Sequence, residues 1–237
     1  MFAKIESANK AIQDEKDSLL PSELRKKTVR RKNLLWSETC KRLPVDSREG
    51  ATFTQVGDEA WLIGGVGETV RKEIYSFDLK TLTFQKRLSA PPVPRISRFN
   101  HGAYAYQKKI YLFGGEVFSS YHFSSKHCTN DMWVFNTEDL TWKQKKTDSL
   151  YMQPRRSHAT SGINRYMLIY GGYAVEDEIL NELRVFNIQT SSWFEPSVDL
   201  SPLPYLAQHS MTAVFSSPSK VSDLFNCKYI APRVSGC

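Results

Sequence analysis

Short apolar segments that end in two glycines recur along the middle of the chain. Residues 60–67 are AWLIGGVG, residues 110–117 are IYLFGGEV and residues 167–174 are MLIYGGYA. Each begins with a run of about four apolar residues, which is typical of a buried strand. The glycine pairs are Gly64-Gly65, Gly114-Gly115 and Gly171-Gly172, and they lie 50 and 57 residues apart. This regular spacing predicts a tandem repeat.

Other strand-like segments keep the same spacing. Before the glycine pairs lie EGATF (49–53), HGAYAY (101–106) and HATSGI (158–163), and after them lie EIYSFD (73–78), DMWVFN (131–136) and ELRVFN (182–187). A last short strand in each unit carries one large aromatic residue, at Phe84, Trp142 and Trp193, and a fourth such residue, Trp36, precedes the first unit. The pattern predicts four short strands in each of three units, at about 49–87, 101–146 and 158–197.

A glycine-rich turn after a strand can also hold the phosphates of a nucleotide. Such a loop occurs once in a domain, whereas this one occurs three times, and GGVG (64–67) has no following Lys-Ser or Lys-Thr. Paired glycines at the end of a strand are needed where two backbones approach closely or where φ is positive. We therefore interpret the six glycines as structural residues of the repeat and expect no cofactor.

The recurring Gly-Gly, the YSF or VFN segments and the aromatic last strand resemble the kelch repeat, whose period is about 50 residues. The resemblance covers residues 33 to about 215. It implies an all-β fold of β-propeller blades, each a four-stranded antiparallel sheet. Function is then expected to lie in binding other proteins, as in kelch proteins of similar build.

The repeat is incomplete within this sequence. A lone outer strand (33–40) precedes the three units and a lone inner strand (209–217) follows them, while residues 218–237 are expected to be a divergent and poorly ordered tail. Closed propellers need about four to eight blades. We therefore expect an incomplete ring from a shortened version of a longer kelch protein, with open blade edges through which copies could self-associate.

Three histidines occupy equivalent places in successive units, namely His101, His158 and His209. Catalytic histidines do not come in equivalent copies, so we interpret these as packing or hydrogen-bonding residues. Arg98 and Arg155 each lie three residues before a histidine, as the kelch pattern implies. On this alignment Glu49 takes the histidine's place in the first unit, and Asp46 and Leu206 take the arginine's place in the first and fourth units.

Residue patterns of enzymes and metal sites are missing from the sequence. His122, His127 and Cys128 lie in one loop without a fourth ligand, and a structural zinc site needs four. The motif G-x-S-x-G is absent, and the four cysteines form no C-x-x-C pair. We expect a protein that is not an enzyme and that has no metal and no disulfide framework.

Partner-binding residues are expected on the face where the second-to-third-strand loops and the links between blades emerge. The loop 116–131 carries Phe118, Tyr121, His122 and Phe123, which could anchor a partner or fold back onto the base of the loop. The links between units bring basic residues to the same face, so the expected partner is another protein with an acidic peptide segment. The basic residues chosen for this role are Arg87, Arg95, Lys143, Lys145 and Arg156.

Residues 1–32 are a basic leader in which two short helices, divided at Pro21, are predicted. Its run RKKTVRRK (25–32) accounts for much of the net charge of +7 and could bind nucleic acid, an acidic partner or the nuclear import machinery, or could be a solvated helix face. The segment LPSEL (20–24) resembles the start of an F-box, a helix bundle that docks ubiquitin ligases, but the polar run that follows lacks the apolar stripe of that bundle.

The favoured function is a non-enzymatic protein-interaction module or scaffold. Two alternatives stay open: a substrate-recognition subunit of a ubiquitin ligase, and association with nucleic acid or an acidic partner through the leader, of which nucleic acid is disfavoured. No apolar run is long enough to span a membrane, and acidic residues interrupt the N-terminus where a signal peptide is apolar. A cytoplasmic location is expected, with a nuclear one left open.

Overall fold

A computed structural model describes residues 44–67, 73–89, 98–118, 126–147, 152–197, 200–201 and 203–213. The chain divides into two compact units, Met1–Lys41 and Arg42–Cys237, and all the described residues belong to the second. The predictions for the leader, for the strand 33–40 with Trp36, and for the tail 218–237 lie outside the described residues.

The first blade is a four-stranded antiparallel sheet in which the strands follow one another in chain order. Its strands are β1 (Thr52–Val56), β2 (Glu59–Ile63), β3 (Ile74–Asp78) and β4 (Thr83–Arg87). The β3–β4 turn is closed by the Asp78 carboxylate, which accepts hydrogen bonds from the backbone N–H groups of Lys80 and Thr81. Such side-chain capping of backbone donors is a usual role of Asp in turns.

Two further blades repeat this arrangement. The second contains β6 (Gly102–Tyr106), β7 (Lys109–Phe113), β10 (Met132–Asn136) and β11 (Thr141–Lys145), and the third contains β12 (Ala159–Ile163), β13 (Tyr166–Tyr170), β14 (Leu183–Asn187) and β15 (Ser192–Phe194). A small three-stranded sheet lies beside the second blade and contains β5 (Arg98–Phe99), β8 (Glu116–Phe118) and β9 (Lys126–Cys128). The all-β fold of antiparallel blades is therefore confirmed.

The core lies between the blades. We call the face of a blade that points to the preceding unit its N-side face, and the opposite one its C-side face. Trp61 and Ile63 of the first blade pack with Leu112 and Phe135 of the second. Phe113 and Val134, among others of the second blade, pack in the same way with Met167, Ile169 and Phe186 of the third. Since each blade buries an apolar face against the next, the blades stabilise one another.

Each unit places an aromatic pair at the same position of its N-side face. Phe84 lies directly opposite Phe77 in the β3–β4 pairing, and the ring centroids are 4.7 Å apart. The corresponding pairs are Phe135–Trp142 at 4.8 Å and Phe186–Trp193 at 4.9 Å. The large aromatic residue of the last strand therefore packs within its own blade and also faces the preceding one.

The segment 203–213 lies where a fourth unit would begin. The N–H of Gly172 donates to the carbonyl of Leu206, as the N–H of Gly115 donates to that of Arg155. Leu200, Leu203, Leu206 and Met211 pack against the C-side face of the third blade. Residues 209–213 nevertheless form no strand, in contrast to the inner strand expected over 209–217, because no strand of the described chain pairs with them.

Candidate interaction surface

The glycine pairs lie at one end of the blades, which we call the glycine face. In each pair both residues have positive φ, for example 65° at Gly114 and 89° at Gly115. The N–H of the second glycine donates to a carbonyl of the following unit: Gly65 to Arg98 at 2.9 Å, and Gly115 to Arg155 at 2.8 Å. In a nucleotide-binding loop, backbone amides of this kind hold a phosphate. Here they join one blade to the next.

Each histidine of the repeat packs against the first glycine of the preceding unit. A Cβ added at Gly114 would lie 3.0 Å from Cε1 of His158, and one added at Gly171 would lie 3.1 Å from Cε1 of His209. His101 takes the same position against Gly64. Its Nε2 is also hydrogen-bonded at 3.0 Å to the hydroxyl of Thr52 in the preceding inner strand.

Burial lowers the pKa of these histidines. The pKa of His101 lies well below its usual value because of burial and the nearby charge of Arg98. The pKa of His158 falls to about 3, through burial and the charge of Arg155. Burial alone lowers the pKa of His209. All three are neutral at physiological pH, which suits a packing role and not proton transfer near pH 7.

A buried arginine in the second unit, and another in the third, connects three elements of its own blade. Arg98 donates to the carbonyl of Gly114 at 2.9 Å and forms a bidentate ion pair with Asp131 at 2.9 and 3.1 Å. Arg155 repeats both contacts, with the Gly171 carbonyl and with the Glu182 carboxylate. Burial raises the pKa of Asp131, but the hydrogen bonds and charge of Arg98 outweigh it, so that the pKa is lowered overall.

The first unit follows the same pattern, and the alignment of Asp46 and Glu49 expected from the sequence is wrong. Arg48 donates to the carbonyl of Gly64 at 3.1 Å, so Arg48 and not Asp46 takes the arginine position. A Cβ added at Gly65 would lie 2.9 Å from Cβ of Ala51, as one added at Gly115 would lie 2.7 Å from Cβ of His101. Ala51 and not Glu49 therefore takes the histidine position.

Sequence reasoning also missed the acidic partners of the arginines. Asp131 and Glu182 each stand directly before the third strand of a blade, and Glu73 has that place in the first unit. The sequence contains a spacing that identifies the arginines, because each of them lies 16 residues before the first glycine of the Gly-Gly pair in its unit. Counting back from the glycines would have found Arg48.

A second charged cluster lies on the glycine face between the second and third blades, with Glu116 buried, Arg156 half-buried and Asp177 exposed. Arg156 is ion-paired with Glu116 at 3.6 Å and with Asp177, and its guanidinium lies 4.5 Å from the ring centre of Tyr173. Cys128 is half-buried beside this cluster. Burial, followed by the charge of Glu116, raises the pKa of its thiol, so the thiolate that reacts with electrophiles is disfavoured.

The third blade contributes a charged loop to this face, from Tyr173 to Ile179. An isolated β-bridge between Tyr173 and Ile179 holds this loop. The backbone N–H of Ala174 also donates a hydrogen bond to the backbone carbonyl of Glu178. Glu176 and Asp177 both have positive φ, at 63° and 62°. The tip of the loop is exposed, with Val175 at 59% and Ile179 at 38% exposure.

The basic residues predicted to bind a partner do not lie together. Arg87 is in β4 of the first blade, where it is ion-paired with Glu59 at 2.6 Å and donates to the Ser76 hydroxyl. Lys143 and Lys145 lie in β11, the outermost strand of the second blade. Only Arg156 belongs to the cluster described above. Arg95 lies outside the described residues.

Of the predicted loop aromatics, Phe118 is described, and its ring centroid lies 5.7 Å from that of Phe99. Phe99 belongs to β5, the strand that pairs with β8, and not to the loop 116–131. Tyr121, His122 and Phe123 lie outside the described residues.

Within the described chain, no three His, Cys, Asp or Glu side chains are grouped so that they could hold a metal ion. In the same residues, no helix is long and apolar enough to cross a membrane.

Repeated blades joined through Gly-Gly turns, two of them with a buried arginine and its acidic partner, define a β-propeller of the tandem-repeat class. Residues 24–218 match the model of the KLHDC2/KLHL20/DRC7 Kelch-repeats domain. The chain therefore belongs to the kelch-repeat family, which confirms the resemblance seen in the sequence. Kelch repeats generally serve as non-enzymatic domains that bind other proteins.

Similar proteins are varied in size and name. Human Kelch domain-containing protein 3 is 26% identical over 158 residues, which cover 61% of this chain and 39% of that protein. A Kelch repeat-containing protein of Arthroderma benhamiae is 29% identical over 152 residues, 60% of this chain and 22% of the relative. Rho GTPase-activating protein gacHH of Dictyostelium discoideum is 27% identical over 139 residues, 58% of this chain and 9% of the relative. The chain thus spans well under half the length of these relatives.

Proposed function

We propose that this protein is a non-enzymatic scaffold that binds a partner protein on its glycine face, through the third-blade loop Tyr173–Ile179. The observation that carries the proposal is the conformation of that loop. Two successive non-glycine residues, Glu176 and Asp177, have left-handed backbone angles at an exposed tip. Each such residue costs about 1–2 kcal/mol, and strain of this kind is often found at binding sites.

The chemistry of the loop favours a partner segment with basic and apolar side chains. Glu176 and Glu178 are exposed acids, and exposed Val175 and Ile179 stand beside them. Asp177 is ion-paired with Arg156, which fixes the loop against the link before the third blade. A loop that is already ordered loses little entropy on binding.

The acidic-peptide hypothesis stays a prediction with weaker support. Arginine grips a carboxylate best when its guanidinium is free. Arg87 is engaged with Glu59, and Arg156 with Glu116 and Asp177. An acidic segment would have to displace these carboxylates or rely on Lys143 and Lys145.

The experiment is affinity capture from a cell extract by the whole chain, with the bound proteins identified by mass spectrometry. In the test variant Glu176→Lys and Glu178→Lys reverse both exposed charges of the loop. The matched control is Glu138→Lys, an exposed acid in the β10–β11 turn at the opposite end of the second blade. Proteins bound by the wild type and the control but lost from the test variant support the proposal. If all three chains capture the same proteins, it is wrong.

Two narrower roles remain predictions because they depend on the leader, which lies outside the described residues. A substrate-recognition role in a ubiquitin ligase predicts that a cullin co-purifies with the protein. Nucleic-acid binding through Arg25–Lys32 predicts an affinity that falls steeply with salt. Neither role changes the expected effect of the loop variants.

A further inference from the structure

The outermost strands of the first and third blades leave no cation without a counter-ion. In β4 of the first blade, Arg87 is ion-paired with Glu59 at 2.6 Å, and Lys86 is ion-paired with Glu73 at 3.7 Å. In β15 of the third blade, the sequence SWF contains no charged residue. At these two edges each basic side chain of the strand is therefore neutralised by an acid of its own blade.

The outermost strand of the second blade, β11, is different. Its sequence is TWKQK, with Lys143 exposed and Lys145 half-buried. Within the part of the chain that the structure describes, neither lysine forms an ion pair. Two positive charges therefore lie two residues apart on this strand without a carboxylate to neutralise them.

Comparison of the first and second blades shows how this excess of charge arises. Arg87 and Lys145 are both the last residue of an outermost strand, and Glu59 and Lys109 are both the first residue of the second strand of a blade. Lys109 thus replaces the acid that neutralises Arg87. Through the pairing with β10, Lys109, Lys143 and Lys145 all lie on one face of the sheet. Like charges on one face repel one another, and an anionic partner would remove that repulsion.

The edge of β11 is open as well as charged. One side of β11 pairs with β10, and no strand of the described residues pairs with the other side. Thr141, Lys143 and Gln144 are exposed. The free edge of a sheet presents a row of backbone N–H and C=O groups that can hydrogen-bond an added strand.

We propose that β11 binds an extended acidic segment of a partner protein, which adds to the second blade as a fifth strand. Backbone hydrogen bonds hold the segment, and its acidic side chains pair with Lys143 and Lys145. Residues two apart in a strand point to the same side of a sheet, so the segment needs acids at alternate positions. This site goes beyond the proposed function, because it lies on the second blade and not on the third-blade loop.

The charge of the edge favours a different protein over a second copy of this chain. Another β11 would bring the same two lysines to the interface, and like charges opposite each other in a sheet are destabilising. Lysine on an edge strand also protects a protein against aggregation. Protection by itself predicts that an acidic strand does not bind, so the two roles give opposite results in a binding experiment.

The test is fluorescence polarisation of labelled synthetic peptides with the whole chain. The probe peptide alternates glutamate and valine. A second peptide has the same composition with its glutamates in one block, so that only their spacing differs. A third has the alternating sequence with N-methyl groups on alternate backbone nitrogens, which removes the hydrogen-bond donors on one side of the strand.

The test variant is Lys143→Glu. Its matched control is Lys108→Glu, which makes the same change of charge at an exposed lysine in the β6–β7 turn of the same blade. Circular dichroism shows which variants are folded, and Lys143→Gln is read if Lys143→Glu is not.

We expect the alternating peptide to bind the wild type and Lys108→Glu with equal affinity. Binding by Lys143→Glu should be at least about tenfold weaker. The blocked and the N-methylated peptides should also bind the wild type at least about tenfold more weakly, because one lacks the spacing and the other the backbone donors.

Four results would overturn the proposal. The first is no binding of the alternating peptide up to about 1 mM, which leaves the lysines a protective role alone. The second is equal binding of the alternating and blocked peptides, which indicates attraction by charge without an added strand. The third is a folded Lys143 variant that binds like the wild type. The fourth is tighter binding of a single-stranded oligonucleotide through Lys143, which assigns the edge to a phosphate chain. Loss of partner capture by the third-blade loop variants is a separate result.

Discussion

Cε1 of His158 in the third blade would be only 3.0 Å from a Cβ placed on Gly114 in the second. This histidine and this glycine belong to different units, 44 positions apart in the sequence. Their contact recurs in the pairs His101–Gly64 and His209–Gly171. The glycine pairs are therefore required by the packing between blades as well as by the turn within each blade.

Replacing Gly115 by alanine should destabilise the protein strongly. Its φ is 89°, and a new Cβ would lie 2.7 Å from both Cβ of His101 and the carbonyl oxygen of Phe99. The matched control is Gly57→Ala, because Gly57 has φ of 63° but no atom within 4 Å of its added Cβ. In urea unfolding we expect a loss of about 1 kcal/mol for the control, from left-handed strain alone. Gly115→Ala should cost at least about 3 kcal/mol, and equal losses would contradict the packing role.

Acid should weaken the fold between pH 6.5 and 4.5 through the buried histidines. The pKa of His158 is about 3 in the folded protein and near 6.5 in the unfolded chain. Below pH 6.5 the unfolded state therefore binds more protons, and the free energy of unfolding falls with pH. His158 alone should contribute a loss of about 1.4 kcal/mol per pH unit in this range. The lowered pKa values of Asp131 and Glu182 act in the same direction only at still lower pH.

The measurement is urea unfolding at several pH values for the wild type and for His158→Gln. Glutamine keeps a polar side chain without a titrating ring, so the variant should show a flatter dependence on pH above 4.5. A slope equal to that of the wild type would mean that His158 is not the group that titrates.

Breaking the buried Arg98–Asp131 ion pair should cost more than removing an exposed one. Arg98 is 2% exposed, and Arg98→Met would remove the cation from the Asp131 carboxylate, which keeps its hydrogen bond from Trp133, and the donor from the Gly114 carbonyl. We expect a loss of about 3–5 kcal/mol. The control is Lys80→Met, which breaks an exposed pair with Asp58 and should change stability by less than about 1 kcal/mol. Chemical denaturation of both variants measures these two changes in the free energy of unfolding.

The hydroxyl of Tyr170 should hold the segment that covers the third blade. The Tyr170 hydroxyl donates to the backbone carbonyl of Pro204 at 2.7 Å and lies 2.6 Å from Oδ1 of Asn181. The side-chain amide of Asn181 in turn donates to the backbone carbonyl of Leu203. Tyr170→Phe should release this segment and speed hydrogen exchange at Gly172, whose N–H donates to Leu206. The Gly115 N–H, bonded to Arg155 in the preceding interface, serves as the internal control. Unchanged exchange at Gly172 would rule out this role.

Much of the fold could be predicted because each unit repeats its own local pattern. Apolar runs, paired glycines and the aromatic residues Phe84, Trp142 and Trp193 indicate four-stranded units from the sequence alone. The histidine position of the first unit is the exception. The residues around Glu49 favour Glu49 for that position, whereas the distance from Gly64 identifies Ala51. The candidate binding residues were harder to predict, because a charge is available to a partner only if no distant residue neutralises it. Arg87 meets Glu59 across its own sheet, and Arg156 meets Glu116 from another blade.

The sequence by itself determined the period of the repeat, the strands of each blade and the need for glycine at their ends, because these depend on residues close together in the chain. Only the tertiary structure decided which arginines are engaged and which histidines are buried. Those properties arise from contacts between residues tens of positions apart, and no local pattern encodes such contacts.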